Sequence, residues 1–104
     1  MLLAGCGGGG SKQASPSCKR EAVSAGEHAG SILVHYSGGT VYPADMSLIG
    51  LKGTLDRFDH DGCPNQELGR ELKRRLSPHD RETLLPLLPR PTAARIQSAL
   101  NSVP

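Results

Sequence analysis

The chain has 104 residues, of which 37% are hydrophobic and only 3% are aromatic, with no tryptophan. A chain of this length forms one small domain with a thin core, and such domains commonly need a covalent cross-link. The formal net charge of +2 at pH 7 is too small for a concentrated basic face, so we expect no nucleic-acid partner. No run of residues approaches the roughly 18 apolar positions that a membrane-spanning helix needs.

The chain begins MLLAGCGGGG. Leu3-Ala4-Gly5-Cys6 resembles the lipobox of bacterial lipoproteins, which is an aliphatic residue, two small residues and a cysteine. The resemblance implies that Cys6 carries diacylglycerol with palmitate-type chains, and that residues 1–5 are the remnant of a signal peptide. The basic n-region and most of the apolar h-region are missing, so we expect Met1 to be a wrongly assigned start or an internal methionine. Because no Asp follows Cys6, the resemblance also implies that the protein is anchored in the outer membrane and faces the periplasm.

The lipobox-like motif is followed by a segment without large apolar residues. Residues 7–17 contain only Gly, Ser, Lys, Gln, Ala and Pro. Such a segment cannot bury enough apolar area to offset its ordering entropy. We therefore predict a lipidated, flexible tether over residues 6–18 and a folded domain over residues 19–104. The alternative is that the motif arises by chance and that residues 7–11 are an engineered linker.

Three cysteines are an odd count for an exported protein. If Cys6 carries lipid, Cys18 and Cys63 are left to pair in an oxidising compartment, and we predict a disulfide between them. The alternatives are two free thiols or a zinc site in which Cys63 joins His60. One H-x-x-C pair lacks the second half of a zinc pattern, so we predict no metal there.

The first half of the domain predicts a small antiparallel sheet. Residues 19–30 are small and polar and predict a loop. Residues 31–37 (SILVHYS) are β-branched and aromatic and predict a strand with alternate side chains on one face. Residues 46–51 and 54–58 flank Lys52-Gly53 and predict a β-hairpin.

In the second half of the domain the apolar period becomes helical. Leucine recurs every four residues at Leu68, Leu72 and Leu76, which predicts an amphipathic helix. Ser77-Pro78-His79-Asp80 predicts the capped start of a second helix. Thr92 predicts the cap of a short third helix. The predicted fold class is therefore α+β, with an antiparallel sheet of about three strands followed by two or three short helices packed on it.

The sequence has one partial match to a calcium-binding loop. If Gly62 takes the sixth position of an EF-hand loop, Asp59 and Asp61 take the third and fifth. Arg57 and Leu68 then occupy the first and twelfth positions, where oxygen ligands are required. We predict a polar turn there, with calcium binding as the alternative.

No arrangement of nucleophile, base and orienting acid is recognisable. The sequence contains neither Gly-x-Ser-x-Gly nor His-Glu-x-x-His. The four histidines are scattered, at His28, His35, His60 and His79. We therefore expect no enzymatic activity, no cofactor and no metal.

Ser37-Gly38-Gly39 follows the predicted strand and resembles a motif of the emfourin-type inhibitors of thermolysin-like metalloproteases, over residues 31–88. The chain departs from that family at Thr40-Val41-Tyr42, where an apolar residue and a further glycine are expected. Residues 37–42 also resemble the Ser-Gly-x-x-Tyr loop of envelope lysozyme inhibitors, although they are one residue longer. Both resemblances imply a protruding loop that contacts a hydrolase, formed by Ser37, Gly38, Gly39 and Tyr42.

The sequence thus favours a non-enzymatic lipoprotein of the cell envelope that binds a protein partner, with inhibition of a hydrolase as its specific form. The alternative is a structural accessory lipoprotein that stabilises an envelope assembly through its leucine-rich helices. The first hypothesis predicts that Ser37 and Tyr42 are exposed on a projecting turn. The second predicts an uncovered apolar patch. That patch would consist of Leu84, Leu85, Leu87 and Leu88.

Overall fold

The computed structural model describes residues 15–104, and all regular elements in that range are helical. The five α-helices are α1 (Pro16–Tyr36), α2 (Met46–His60), α3 (Asn65–Arg75), α4 (Pro78–Leu84) and α5 (Arg90–Asn101), with a 3-10 turn at Leu85–Leu87. α1 is the longest helix and packs against α2, α3 and α4, while α5 packs on α3. Among these helices, none combines the length and the apolar character that crossing a bilayer requires.

The predicted α+β fold is wrong. No β-strand occurs within residues 15–104, so the antiparallel sheet is absent from this range. The predicted loop at 19–30 and the predicted strand at 31–37 both belong to α1, apart from Ser37. The predicted β-hairpin of residues 46–58 is α2. Within residues 15–104 the chain is a small helical domain, and α1 begins three residues before residue 19.

α1 forms because its start is capped and one of its faces is small and apolar. Ser15 accepts a hydrogen bond from the backbone N–H of Cys18 at 3.2 Å, and Pro16 occupies the first helical position. The buried side chains then recur at helical spacing, at Cys18, Ala22, Ala25, Ala29 and Ile32. Alanine is the strongest helix former and lets neighbouring helices approach closely. Burial of this face overrides the β-propensity of the segment SILVHY.

α2 carries a conventional leucine-rich core face. Asp45 caps it by accepting the backbone N–H groups of Ser47 at 2.9 Å and Leu48 at 3.2 Å. Its buried side chains are separated by three or four residues, at Leu48, Leu51, Leu55 and Phe58. A Cβ at Gly50 would lie 2.5 Å from the His28 ring of α1. This glycine therefore permits a close helix contact and does not mark a turn.

The helices predicted after residue 64 are present. Leu68, Leu72 and Leu76 are buried, and Ser77 and Asp80 form the predicted capping box at the start of α4. The last helix begins at Arg90 and not at Thr92, because Pro91 suits a first helical turn.

The disulfide between Cys18 and Cys63 is present, with the two Cα atoms 5.6 Å apart. It joins the first turn of α1 to the connection between α2 and α3 and closes a loop of 45 residues. The prediction of this bond is confirmed. The alternatives of two free thiols and of a zinc site with His60 are therefore excluded.

The tightest helix contact lies between α3 and α5. A Cβ at Gly69 would lie 2.2 Å from the backbone oxygen of Ala99 and 2.7 Å from the Val103 side chain. Because the nearer atom belongs to the backbone of a packed helix, it cannot move without shifting α5. By contrast, a Cβ at Gly53 in α2 would have no neighbour within 4 Å.

Substituting these two glycines with alanine has opposite expected effects. Gly69→Ala should destabilise the domain by about 2 kcal/mol, because overpacking forces backbone shifts, and lower Tm by roughly 8 °C or more. Gly53→Ala should raise Tm by a few degrees, since alanine is favoured over glycine in a helix by about 0.5–1 kcal/mol. Thermal unfolding followed by circular dichroism measures both. Equal shifts of the same sign would contradict the α3–α5 contact.

Candidate functional site

The connection between α1 and α2, residues 37–45, leaves α1 through a tight turn. The backbone N–H of Gly39 donates to the carbonyl oxygen of Tyr36 at 2.8 Å, and Gly38 has a φ of +87°. Glycine adopts this φ without the strain that other residues experience. The residues predicted to form a binding loop all lie on this connection and are exposed, namely Ser37, Gly38, Gly39 and Tyr42. They join two helices and not two strands.

The connection is fixed to the helices on both sides. Val41 is only 4% exposed and joins the hydrophobic core. The Tyr36 hydroxyl donates a hydrogen bond to Asp45, the capping residue of α2. The Tyr42 ring meets the Tyr36 ring edge-on, with centroids 6.5 Å apart. Tyr42 therefore projects from a connection that is already ordered by its neighbours.

The hydrogen bond between Tyr36 and Asp45 shifts the pKa of both groups. It lowers the pKa of the Asp45 carboxyl, and the backbone N–H groups of Leu48 and Ser47 act in the same direction. The same bond raises the pKa of the Tyr36 hydroxyl. At neutral pH a charged carboxylate thus accepts from a neutral phenol, and this charge-assisted bond helps hold the connection in place.

Large apolar side chains are exposed around this connection. The large hydrophobic residues exposed within residues 15–104 are Val34 (76%), Tyr42 (70%), Met46 (77%) and Ile49 (48%). Val34 lies in the last turn of α1, Met46 begins α2, and Ile49 follows one turn later. We call these four side chains the tip surface. Exposed apolar residues concentrated at one end of a small domain are typical of an interaction site.

The tip surface carries little charge. All twelve lysine and arginine residues of the chain lie before residue 21 or after residue 51. Asp45 is the one acidic residue between positions 28 and 51. Its carboxylate already accepts hydrogen bonds from the Tyr36 hydroxyl and from the backbone at the start of α2. The absence of basic residues over this long segment is visible in the sequence. It marks the region of the tip surface, whereas the exposure of Val34 and Met46 follows only from the packing of the helices.

Three polar side chains near the tip surface lie close to one another, namely Ser31, His35 and Ser47. His35 meets Ser31 and not Ser37, with the Ser31 Oγ 3.4 Å from the His35 Nδ1 on the exposed surface of α1. The same Ser31 Oγ lies 3.0 Å from the Ser47 Oγ of α2. The contact between Ser31 and Ser47 links the two helices.

The carboxylates of residues 59–61, which partly match a calcium-binding loop, do not surround a common site. Asp59 is bound by Arg95 of α5 through contacts of 2.6–3.1 Å. In the part of the chain that the structure describes, no group of three or more His, Cys, Asp or Glu side chains is placed to hold a metal ion.

The leucine-rich segment does not form the apolar patch that the accessory-lipoprotein alternative requires. Leu84 is fully buried, and Leu87 and Leu88 are 8% and 7% exposed. Leu85 is half-buried and packs against the core. This segment closes the core of the domain and leaves little apolar surface for a partner.

The predicted lipidation site, Cys6, lies outside the described residues. α1 begins at Pro16, ten positions further along the chain. A 21-residue α-helix is about 31 Å long, so the tip surface lies about that far from the start of α1. The first turn of α1 and the tip surface therefore lie at opposite ends of one helix.

Comparison with known proteins found no matching family, no similar curated protein and no similar solved structure. The segment 31–36, which enters the resemblance to emfourin-type inhibitors as a strand, is helical. The proposals below therefore rest on the geometry of this chain and on its lipobox-like motif.

The lowered pKa of Asp45 predicts a specific acid sensitivity. Its carboxylate stabilises the fold fully above the unfolded-state pKa of about 3.9, and this contribution is lost as the pH falls through the lower folded-state pKa. Asp45→Asn keeps the cap but removes the charge. The difference in Tm between the wild type and Asp45→Asn should be constant near neutral pH and shrink below about pH 4.

Tyr36→Phe is the control for this measurement, because it removes the main cause of the lowered pKa. Below about pH 4, the dependence of its Tm on pH should resemble that of Asp45→Asn more than that of the wild type. If the difference in Tm between the wild type and Asp45→Asn stays constant down to the lowest pH measured, the bond between Tyr36 and Asp45 is contradicted.

Proposed function

We propose that this chain is a non-enzymatic lipoprotein of the cell envelope whose helical domain binds a protein partner through the tip surface. The observation that carries the proposal is the concentration of Val34, Tyr42, Met46 and Ile49, all exposed, around one fixed connection. Such a surface is unfavourable in water and becomes favourable when a partner covers it.

The tip surface has the composition of a protein-binding site. Aromatic residues and methionine are enriched at the centres of protein interfaces, and charged residues are depleted there. Tyr42 contributes a large ring that already rests against Tyr36, so little conformational freedom is lost when it binds. The partner that fits is a protein with an apolar depression of matching size.

Inhibition of a hydrolase is the specific form of this proposal. The connection carries Gly38 and Gly39, which add no side-chain bulk, and the exposed ring of Tyr42, and this composition suits insertion into the cleft of an enzyme. The supporting feature is the exposure of Ser37 and Tyr42 on a turn. Burial of Leu84, Leu87 and Leu88 removes the surface on which the accessory alternative depends.

We further propose that the protein is anchored in the outer membrane, facing the periplasm, through lipid on Cys6. The sequence Leu3-Ala4-Gly5-Cys6 supports the anchor, and the disulfide between Cys18 and Cys63 supports an oxidising compartment. Ten residues of extended chain reach at most about 35 Å, which allows the domain to stand clear of the headgroups.

The anchor is tested by Cys6→Ser in protein expressed with its native upstream sequence. The wild type should fractionate with membranes, and mass spectrometry should find a diacylglyceryl group on Cys6. Cys6→Ser should move the protein to the aqueous fraction, because the attachment atom is lost. Gln97→Ser, an exposed change on α5, is the matched control and should stay with the membranes. Wild-type protein without lipid on Cys6 would rule out the anchor.

The binding surface is tested by replacing two residues of the tip surface together, Tyr42→Ser and Met46→Ser. Partners captured from the native envelope by the lipidated wild type should bind this variant at least about tenfold more weakly, because interface aromatics dominate binding energy. The matched control replaces two exposed polar residues elsewhere, Glu82→Ala and Gln97→Ala.

Two outcomes decide between the forms of the proposal. Binding at the tip surface is contradicted if the tip variant and the control variant both lose the partner, or if both keep it. A captured hydrolase whose activity falls on adding the wild type, and is unaffected by the tip variant, supports inhibition. A captured hydrolase that keeps its full activity contradicts inhibition but not binding.

A further inference from the structure

α1 has an exposed face on the side opposite the core, and Val34 of the tip surface lies on the same side, three turns beyond Val23. An open groove of about 530 Å³ runs along its first three turns. The residues that line it recur at helical spacing, at Pro16, Lys19, Arg20, Val23, Ser24 and Glu27. This set, which we call the α1 groove, lies on the side of the helix away from the buried alanines. Among residues 15–104, the lining comes from α1 alone.

The charges of the α1 groove are ordered around one apolar residue. Lys19 and Arg20 lie one turn before Val23, and Glu27 lies one turn after it. All three charged side chains are exposed, and none forms an ion pair among residues 15–104. The groove is therefore basic at one end, apolar at its centre and acidic at the other end.

We propose that a second copy of this chain packs antiparallel against the α1 groove, with Val23 on the two-fold axis. Lys19 and Glu27 are each four positions from Val23, so this pairing places Lys19 of each copy opposite Glu27 of the other. Arg20 is adjacent and reaches the same carboxylate. A parallel, in-register pairing would instead place Lys19 against Lys19 and Glu27 against Glu27, which is unfavourable.

The same antiparallel pairing places a glycine of one copy opposite a proline of the other. Pro16 and Gly30 are each seven positions from Val23, so Pro16 of one copy faces Gly30 of the other. A Cβ at Gly30 would have no neighbour within 4 Å among the described residues of its own chain. Glycine in a helix interior is less favourable than alanine by about 1 kcal/mol, and the space it leaves admits a partner helix. A self-complementary patch of this kind is what a two-fold dimer requires.

The pairing is compatible with both proposed functions of the chain. The two copies of Pro16 would lie about 21 Å apart along the helix pair, since 14 residues separate Pro16 from its opposite position. Both tethers can then reach the same bilayer. The tip surfaces lie at opposite ends of the pair, beyond the facing positions Pro16 and Gly30. The dimer does not depend on a partner at the tip surface, so each proposal can fail alone.

Charge reversal tests the dimer in the full chain carrying Cys6→Ser, by sedimentation over a concentration series. Glu27→Lys alone, and Lys19→Glu with Arg20→Glu alone, should each weaken self-association at least about tenfold, because both contacts become repulsive. An equimolar mixture of the two variants should regain it, since every contact in the mixed dimer is attractive again. Unchanged thermal unfolding of each variant excludes misfolding as the cause.

Cross-linking tests the position of the axis. Val23→Cys should form a disulfide-linked dimer rapidly under mild oxidation, because the two introduced thiols face each other. Gln97→Cys, which is exposed on α5, is the matched control and should react slowly. A wild type that is monomeric at every concentration would overturn the proposal. So would a mixture of variants that stays monomeric, or equal cross-linking at the two positions.

Discussion

The disulfide between Cys18 and Cys63 is the constraint on which the rest of the structure depends. It joins the first turn of α1 to the α2–α3 connection, and α1 in turn packs against three other helices. The buried face of α1 consists mainly of alanine, and the chain has one Phe and no Trp, so each side chain removes little apolar area from water. Closing a 45-residue loop stabilises the fold by about 4 kcal/mol in the chain-entropy model, which is a large share of the stability of a small domain.

The position of α1 also determines where each surface of the protein lies. Its first turn follows the segment that leads to Cys6, and its last turn carries Val34 of the tip surface about 31 Å away. Its buried side faces the core, and its outer side forms the α1 groove. One helix thus separates three contacts that we propose for this protein, namely with the membrane, with a partner and with a second copy.

The parts of the fold that sequence predicted correctly depend on local signals. Leu68, Leu72 and Leu76 repeat at helical spacing, Ser77 and Asp80 form a capping box, and the parity of the cysteines indicated the disulfide. α1 and α2 were missed because their signals are non-local. An alanine face does not look apolar until other helices cover it, and Lys52-Gly53 suggests a hairpin turn although both residues lie inside α2. The exposure of Val34 and Met46 likewise depends on which faces the other helices cover, whereas Tyr42 lies on a connection whose glycines are visible in the sequence.

The most direct test of the central role of the disulfide compares the oxidised chain with a variant in which Cys18 and Cys63 are both serine. We predict that Tm falls by about 8 °C or more in the variant, since disulfides of this loop length contribute roughly 2–4 kcal/mol. We also predict faster hydrogen exchange of the backbone amides in the first turns of α1, with smaller changes in α5. An unchanged Tm together with unchanged protection of α1 would contradict the account.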